Sequence, residues 1–421
     1  MSKTNLFFDI SGGAVNAVPS KSSAHRIIIC SALSDSQTEV EISGLSDDVL
    51  ATVSAAEALG SRIEIIDGRL IVYPHSKTCT GGKVLCGESA STLRLCLPVF
   101  AALGIPVTFL NEGSLKRRKL FIPRDEYLNH GVTVMNTEEG ISVSGKLTGG
   151  AFSVDGAVTS QNLSGLALSL PLVNGLRLSA QHRSVSMPYF DMTSRVMKDF
   201  GVELSDENGI VTASGRYSSP SHIKAEGDWS SAAYWFVLGA IGDLPVTVHG
   251  LNYRTAQGDK RILDILFRCG VRIEHDVRGG AYTVYPSVIK PFSVDVSATP
   301  DLFPLLGILG SAAAGRCVLS GAAALRYKES DRLSATAEMI NSIGGSAVIE
   351  NDSLIVQGFG RGRYALSGGA CGTHGDHRMI MAAAIASAIC RDGVEINETA
   401  AVSKSYPRFF DDYISLGGRI R

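Results

Sequence analysis

A chain of 421 residues with 39 basic and 41 acidic side chains, formal net charge −2, has neither a polyanionic coat nor a basic stripe for nucleic acid, and none is expected as a partner. Its eight cysteines include no C-x-x-C spacing and no charged-then-apolar leader pattern opens the chain, so a reduced cytoplasm is expected. Apolar segments run about 10 to 16 residues between polar or glycine breaks, too short for a bilayer, which predicts no membrane contact.

A strand-like run, Leu6 to Ile10, precedes a pattern that restarts about every 70 residues. The restarts are Ser20-Lys21-Ser22-Ser23, Glu88-Ser89-Ala90-Ser91-Thr92, Thr159-Ser160-Gln161, Asp228-Trp229-Ser230-Ser231, Thr299-Pro300-Asp301 and Thr373-His374-Gly375-Asp376. Each leads into an apolar, small-residue segment such as Ala232 to Ile241 or Leu302 to Ala314, too continuous for a surface helix. Six buried helices opening on capping residues are therefore predicted, and several such N-termini brought together would bind anions. Later in each repeat an amphipathic stretch ends in glycine, at Gly60, Gly131, Gly201, Gly270, Gly344 and Gly417, followed by paired β runs such as Arg62 to Ile66 and Leu70 to Tyr73. Leu333, Ala337 and Ile340 lie at helical spacing, one apolar stripe over a sheet. The repeat reads buried helix, strand, amphipathic helix, strand, strand.

Six repeats exceed what one core serves, so two domains of three units each are expected, 20–227 and 1–19 plus 228–421, divided near Ala225-Glu226-Gly227. The run Leu6 to Ile10 would complete a unit whose remainder lies far along the chain.

The chemistry gathers at the restarts. Lys21 and Arg26 fall in S-K-S-S-A-H-R, Arg94 in the next apolar helix and Arg378 in the last. A guanidinium in an apolar helix needs a carboxylate or an anionic ligand, so each is either an internal Arg–Asp bridge or a binding group. Arg326 to Arg332, R-Y-K-E-S-D-R, is the densest ionisable cluster; Lys328 and Arg332 share a helical face, with Glu329 and Asp331 beside them. A solvated helix start is the alternative reading there.

These segments together resemble the 5-enolpyruvylshikimate-3-phosphate (EPSP) synthase family over essentially the whole chain. The resemblance rests on Ser20 to Arg26, Gly87 to Arg94, Thr159-Ser160-Gln161, Ser186-Met187-Pro188-Tyr189, Glu226 to Tyr234, Gln257 to Asp259, Arg326 to Arg332, Asp376 to Met379 and Lys404 to Pro407, in family order and spacing. It implies an α/β, two-domain enolpyruvyl transferase fold of six βαβαββ units with an interdomain active-site cleft. It also implies transfer of the enolpyruvyl group of phosphoenolpyruvate to the 5-hydroxyl of shikimate 3-phosphate, by a cytoplasmic monomer with no metal or organic cofactor. By matching position, Ser22, Arg26, Thr159, Ser160, Gln161, Ser186, Tyr189, Asp301 and Lys328 would hold shikimate 3-phosphate. Lys21, Ala90, Arg94, Arg118, Gln161, Arg332, Arg378 and Lys404 would line the phosphoenolpyruvate site, with Arg117 as the alternative to Arg118. Asp301 resembles the family's base, Glu329 its acid, and Lys21 a third participant in proton transfer; without the other segments Asp301 reads as a helix N-cap after Pro300.

The chain departs from the family at Ala90, where the phosphoenolpyruvate loop commonly has glycine, at Glu88 and Leu95, commonly Asn and Pro, and at Ala324, where some members place an Asn. An added methyl at Ala90 predicts tolerance to the inhibitor glyphosate, which resemblance places in that site. The rival readings are a same-fold transferase acting on UDP-N-acetylglucosamine, disfavoured by the S-K-S opening, and a silent phosphosugar-binding protein, disfavoured by the intact Lys21, Asp301 and Glu329.

Overall fold

Polar side chains that cap helix N-termini, followed by segments apolar on every face, set the architecture of this chain. The computed structural model describes residues 3–75, 79, 81–155, 159–181, 187–360 and 364–421. Its helices in chain order are α1 (Lys21–Leu33), α2 (Asp47–Ala58), α3 (Ala90–Leu103), α4 (Arg124–Asn129), α5 (Ser160–Ser169), α6 (Met187–Asp199), α7 (Trp229–Ile241), α8 (Ile262–Arg268), α9 (Phe303–Ser311), α10 (Arg332–Ser342), α11 (His377–Ala386) and α12 (Phe409–Ser415).

The odd-numbered helices are the buried ones: every residue of α9 and α11 is buried, and all of α7 but Ser230. Ser20, Ser89, Thr159, Asp228 and Asp376 each accept a backbone N–H of the first turn with their side chains, which satisfies a donor that burial would otherwise strand. The fifth restart differs. Thr299 makes no such bond, and a 3-10 turn, Pro300–Leu302, leads into α9 because Pro304 lies in its first turn. The even-numbered helices end before Gly60, Gly131, Gly201, Gly270, Gly344 and Gly417, all with φ between +80° and +95°, the left-handed stop for which the sequence pattern argued. Leu333, Ala337 and Ile340 of α10 are buried together.

The described strands form six four-stranded sheets. In one, Gly82–Gly87 lies parallel to Val107–Asn111, which pairs antiparallel with Gly140–Gly145, and that strand with Val132–Asn136. With the buried helix between the parallel strands and the amphipathic helix before the hairpin, this is the βαβαββ unit. Three strands serve sheets remote in sequence. Thr4–Phe8 sits between Val394–Ile396 and Gly418–Ile420, so the chain's first strand completes its last unit. Gly13–Asn16 runs parallel beside Val246–His249, and His222–Lys224 parallel beside Thr38–Glu41.

The chain divides into two compact units, Pro19–Ala225, and Met1–Val18 with Glu226–Arg421. Each carries three of the sheets and its own core. In the first, α3 packs on α5 so closely that a Cβ at Gly165 would come 2.2 Å from the Arg94 carbonyl oxygen, an approach only glycine permits. In the second, α7, α9 and α11 pack on one another, and the Trp235 indole stacks on Phe409 at 5.0 Å while its N–H donates to Tyr406 Oη at 2.9 Å. Among the described residues no helix is long and apolar enough to cross a membrane.

Candidate active site

In the unit Pro19–Ala225 most of the candidate side chains stand in the first turns of α1, α3 and α5, with Tyr189 on α6 and Arg118 after the turn Gly113–Lys116. Lys21, the first residue of α1, donates from Nζ to Asp48 Oδ2 at 2.8 Å, with both side chains nearly enclosed. Arg94, one turn into α3, donates from Nη1 to Gln161 Oε1 at 2.9 Å and from Nε to the Leu120 carbonyl at 3.2 Å. Gln161 passes the contact on, its Nε2 donating to Ser91 Oγ at 2.8 Å. Arg94, Gln161, Ser91 and Ala90 therefore share one end of the packed α3–α5 pair. Arg26 is buried and donates to Thr193 Oγ1 at 2.7 Å and to the carbonyls of Ser22 and Tyr189, so it orders the backbone that carries those two residues. Thr159 caps α5 and Ser160 is buried at its first position. Arg118 is half-buried with its Nε enclosed, whereas Arg117 faces solvent. Ser186 lies outside the described residues.

The departure at Glu88 has a local explanation. Its carboxylate accepts both the backbone N–H, at 2.8 Å, and the hydroxyl of Ser114, fastening the loop after strand Val107–Asn111 to the turn before α3.

In the unit formed by 1–18 and 226–421 the centre is Arg332, buried at the start of α10. It donates from Nε to Asp376 Oδ2 at 2.8 Å, from Nη1 to Asp301 Oδ1 at 2.8 Å and from Nη2 to Glu329 Oε2 at 2.7 Å. Burial alone would lower the Arg332 pKa, but Asp376, Glu329 and Asp301 hold it well above its ordinary value. Asp301 is no N-cap: it sits within the 3-10 turn, and its second oxygen accepts from Arg378 Nη2 at 3.1 Å. Although burial pushes the Asp301 carboxyl up, Arg378, Arg332 and Lys328 outweigh it and hold it well below the usual carboxylate range. Arg378 keeps two further groups, Nε and Nη1, buried without a hydrogen-bond partner. Buried unmet guanidinium donors are costly, and an anionic ligand is their natural complement. Lys404 donates to the Gly375 carbonyl at 2.9 Å, in the loop that precedes α11, and Lys328 and Glu329 are half-buried before α10.

Three carboxylates stand in these networks that were not among the site residues read from sequence: Asp48, Asp376 and Asp259. Asp376 caps α11 through the Arg378 N–H while its carboxylate also holds Arg332 and Ser330. Asp259 is buried and accepts from Ser230 Oγ at 2.5 Å, while Gln257 of the same triplet ties Gly227 to the start of α7. Burial, with the Asp301 charge adding to it, pushes the Asp259 carboxyl up to about 7. Among the described residues no group of three or more His, Cys, Asp or Glu could hold a metal ion.

Buried cations on capped helix ends in one unit, and a guanidinium–carboxylate cluster with unmet donors in the other, are the equipment of an α/β enzyme for small polyanionic substrates. The family model for EPSP synthase (3-phosphoshikimate 1-carboxyvinyltransferase) matches residues 10–413, and the chain belongs to that family. It is 36% identical over 415 residues to the 3-phosphoshikimate 1-carboxyvinyltransferase of Clostridium kluyveri, covering 97% of this chain and 96% of that one. The enzyme of the same name from Clostridium novyi is 34% identical, with 97% and 96% covered. Among solved structures, EPSP synthase from Acinetobacter baumannii superposes with a TM-score of 0.82 at 22% identity over 100% of both chains. The enolpyruvyl transferase NikO from Streptomyces tendae does so at 0.74 and 16% identity, covering 100% of this chain and 99% of that one. These two likenesses establish the fold expected from the sequence.

Proposed function

We infer that this chain transfers the enolpyruvyl group of phosphoenolpyruvate to the 5-hydroxyl of shikimate 3-phosphate and releases inorganic phosphate. Full-length family membership supports the reading, and the observation that carries it is Asp301, a carboxylate gripped by two buried guanidiniums beside Glu329. In the addition step the 5-oxygen bonds to C2 of phosphoenolpyruvate, its proton passes to Asp301, and Glu329 protonates the methylene carbon. In the elimination the C2–O bond to phosphate breaks as the proton taken from the 5-hydroxyl passes on to the departing phosphate oxygen, which frees Asp301, and Glu329 takes back a proton from the new methyl group, restoring the double bond. Lys21 shares the proton traffic at the bridging oxygen.

A carboxylate held this far below its usual range is ionised at neutral pH but a feeble base. The substrate anions relieve that. Phosphate and carboxylate oxygens that engage Arg332 and Arg378 offset the charge those groups direct at Asp301, so its basicity rises when the site is filled. Arg94, Arg118, Lys404 and Lys21 join those two arginines around phosphoenolpyruvate, with Ala90 bounding the site. Ser22, Thr159, Ser160, Gln161, Ser186, Tyr189 and Lys328, with Arg26 ordering the first turn of α1, take shikimate 3-phosphate. The transfer involves no redox change, and no cofactor is assigned. Its eight free cysteines suit a reduced cytoplasm, where we expect the chain to act as a monomer. The test is phosphate release by the purified protein with both substrates present: release that needs both supports the reading, and none at millimolar substrate overturns it.

A further inference from the structure

Beneath the α1–α3 end of the unit Pro19–Ala225 lies a hydrogen-bonded ring that no assigned role explains. Lys21 and His25 stand i,i+4 on α1, and Asp48 and Thr52 stand i,i+4 on α2, so each pair shares a helix face. His25 Nδ1 lies 2.6 Å from Thr52 Oγ1, Thr52 Oγ1 2.8 Å from Thr92 Oγ1 on α3, and Thr92 Oγ1 3.3 Å from the Asp48 carbonyl oxygen. The Asp48 carboxylate closes the ring on Lys21 at 2.8 Å. His25, Thr52 and Thr92 are all within 1% of complete burial.

The proton positions in this ring follow from its end. A carbonyl only accepts, so the single Thr92 hydroxyl proton goes to Asp48. Thr92 must then accept from Thr52, whose one proton is thereby used, and Thr52 can only accept from His25. The imidazole is left with hydrogen on Nδ1 and a bare Nε2, which agrees with Nε2 being buried without a hydrogen-bond partner. Ser89 fits the same scheme: its oxygen accepts the Thr92 N–H at 3.2 Å, and its hydroxyl, 2.9 Å from Thr92 Oγ1, supplies that atom's second accepted bond.

We propose that His25 is a positioning residue which, as the neutral Nδ1–H tautomer, locks α1, α2 and α3 through Thr52 and Thr92 and so fixes Lys21 against the α3 turn that carries Ala90 and Arg94. The kinetic part of this proposal rests on the function inferred above; the tautomer does not. Burial, with the charges of Lys21 and Arg26 adding to it, holds the imidazole well below its ordinary pKa, which keeps the ring neutral. A proton added at Nε2 would create a buried donor with nowhere to go.

Two measurements on the full chain test this. In 15N-histidine NMR, with His25→Gln to assign the signal, the native protein is expected to show hydrogen on Nδ1 at neutral pH; an Nε2–H tautomer or an imidazolium overturns the proposal whether or not the enzyme acts as inferred. In steady-state kinetics Thr52→Val, which keeps shape and removes the relay, is expected to lower kcat/KM for phosphoenolpyruvate on the order of tenfold, while Thr52→Ser, which keeps the hydroxyl, stays within about twofold. Equal behaviour of the Val and Ser variants would overturn the positioning role. Should Thr52→Val fail to fold, the tautomer of the native chain still decides.

Discussion

Arg332 donates to three carboxylates at once, and their positions explain why some of them were legible in the sequence and others were not. Glu329 lies three residues before Arg332, so R-Y-K-E-S-D-R exposed the cluster. However, α10 starts only at Arg332, and the helical face expected to join Lys328 to Arg332 is not formed, because Lys328 is extended and Glu329 stands in the bend before the helix. Asp376 lies 44 residues away and shows in sequence only as a cap before His377, because its second task is set by the packing of α10 beside α11. Asp259 showed only as the end of the Gln257 to Asp259 segment, with no role attached, and Asp48 gave no signal of its own, because their partners Ser230 and Lys21 are brought to them by tertiary packing. Since Asp301 and Glu329 are assigned to proton transfer, Asp301→Asn and Glu329→Gln should each lower kcat on the order of a hundredfold or more, with shikimate 3-phosphate affinity by calorimetry retained. Near-native turnover would remove that residue from the mechanism. Ala90, buried as the first residue of α3, is expected to crowd the longer inhibitor more than the substrate. Ala90→Gly should therefore tighten glyphosate inhibition by roughly five- to 150-fold while sparing the KM for phosphoenolpyruvate; an unchanged inhibition constant would put any tolerance elsewhere.

Asp259 makes a prediction of opposite sign to Asp301. Its folded-state pKa is raised, so its contribution to stability is full below about pH 4 and is lost as pH rises through about 7. Asp301, with a lowered pKa, contributes above about pH 4 and loses that contribution as pH falls. Asp259→Asn should therefore gain on the native protein between pH 5 and pH 8 by roughly 1 to 3 kcal/mol in urea unfolding. A difference independent of pH would contradict the assignment.

At the scale of the element, the capped, apolar helix was the most legible feature of the chain. Five of the restart clusters place a side chain on a first-turn N–H, and the glycine stops all take the left-handed conformation. The start of the fifth helix was less so: Pro300 and Pro304 bracket a 3-10 turn that turns the Asp301 carboxylate onto Arg332 and Arg378, where local pattern alone gives a cap. Asp376 joins cap and ion pair in one side chain. Replacing it with Asn keeps most of the cap but leaves Arg332 short of a fully buried counter-charge, and should cost about 3 to 5 kcal/mol of stability. Loss of under about 1 kcal/mol would mean that Glu329 and Asp301 suffice.

For the whole molecule, the repeat was visible in the sequence but the exchange of strands was not, apart from the early run that asked for a partner. Register between Thr4–Phe8 and strands nearly 400 residues later is decided by which sheet lacks a member, which no local pattern encodes. Residues 19–225 contain all the strands of their own three sheets, His222–Lys224 included. Expressed alone, that segment should unfold cooperatively in urea with a native-like far-UV spectrum; a broad, non-cooperative loss would show that its core depends on the rest of the chain.

The most direct test follows the reaction itself, with purified protein, phosphoenolpyruvate and shikimate 3-phosphate, and with phosphate and organic product quantified together by 31P NMR and mass spectrometry. One phosphate released per enolpyruvyl ether formed at the 5-oxygen, abolished with either substrate omitted, is the expected result. Phosphate without the ether, or transfer only when UDP-N-acetylglucosamine replaces shikimate 3-phosphate, would contradict it.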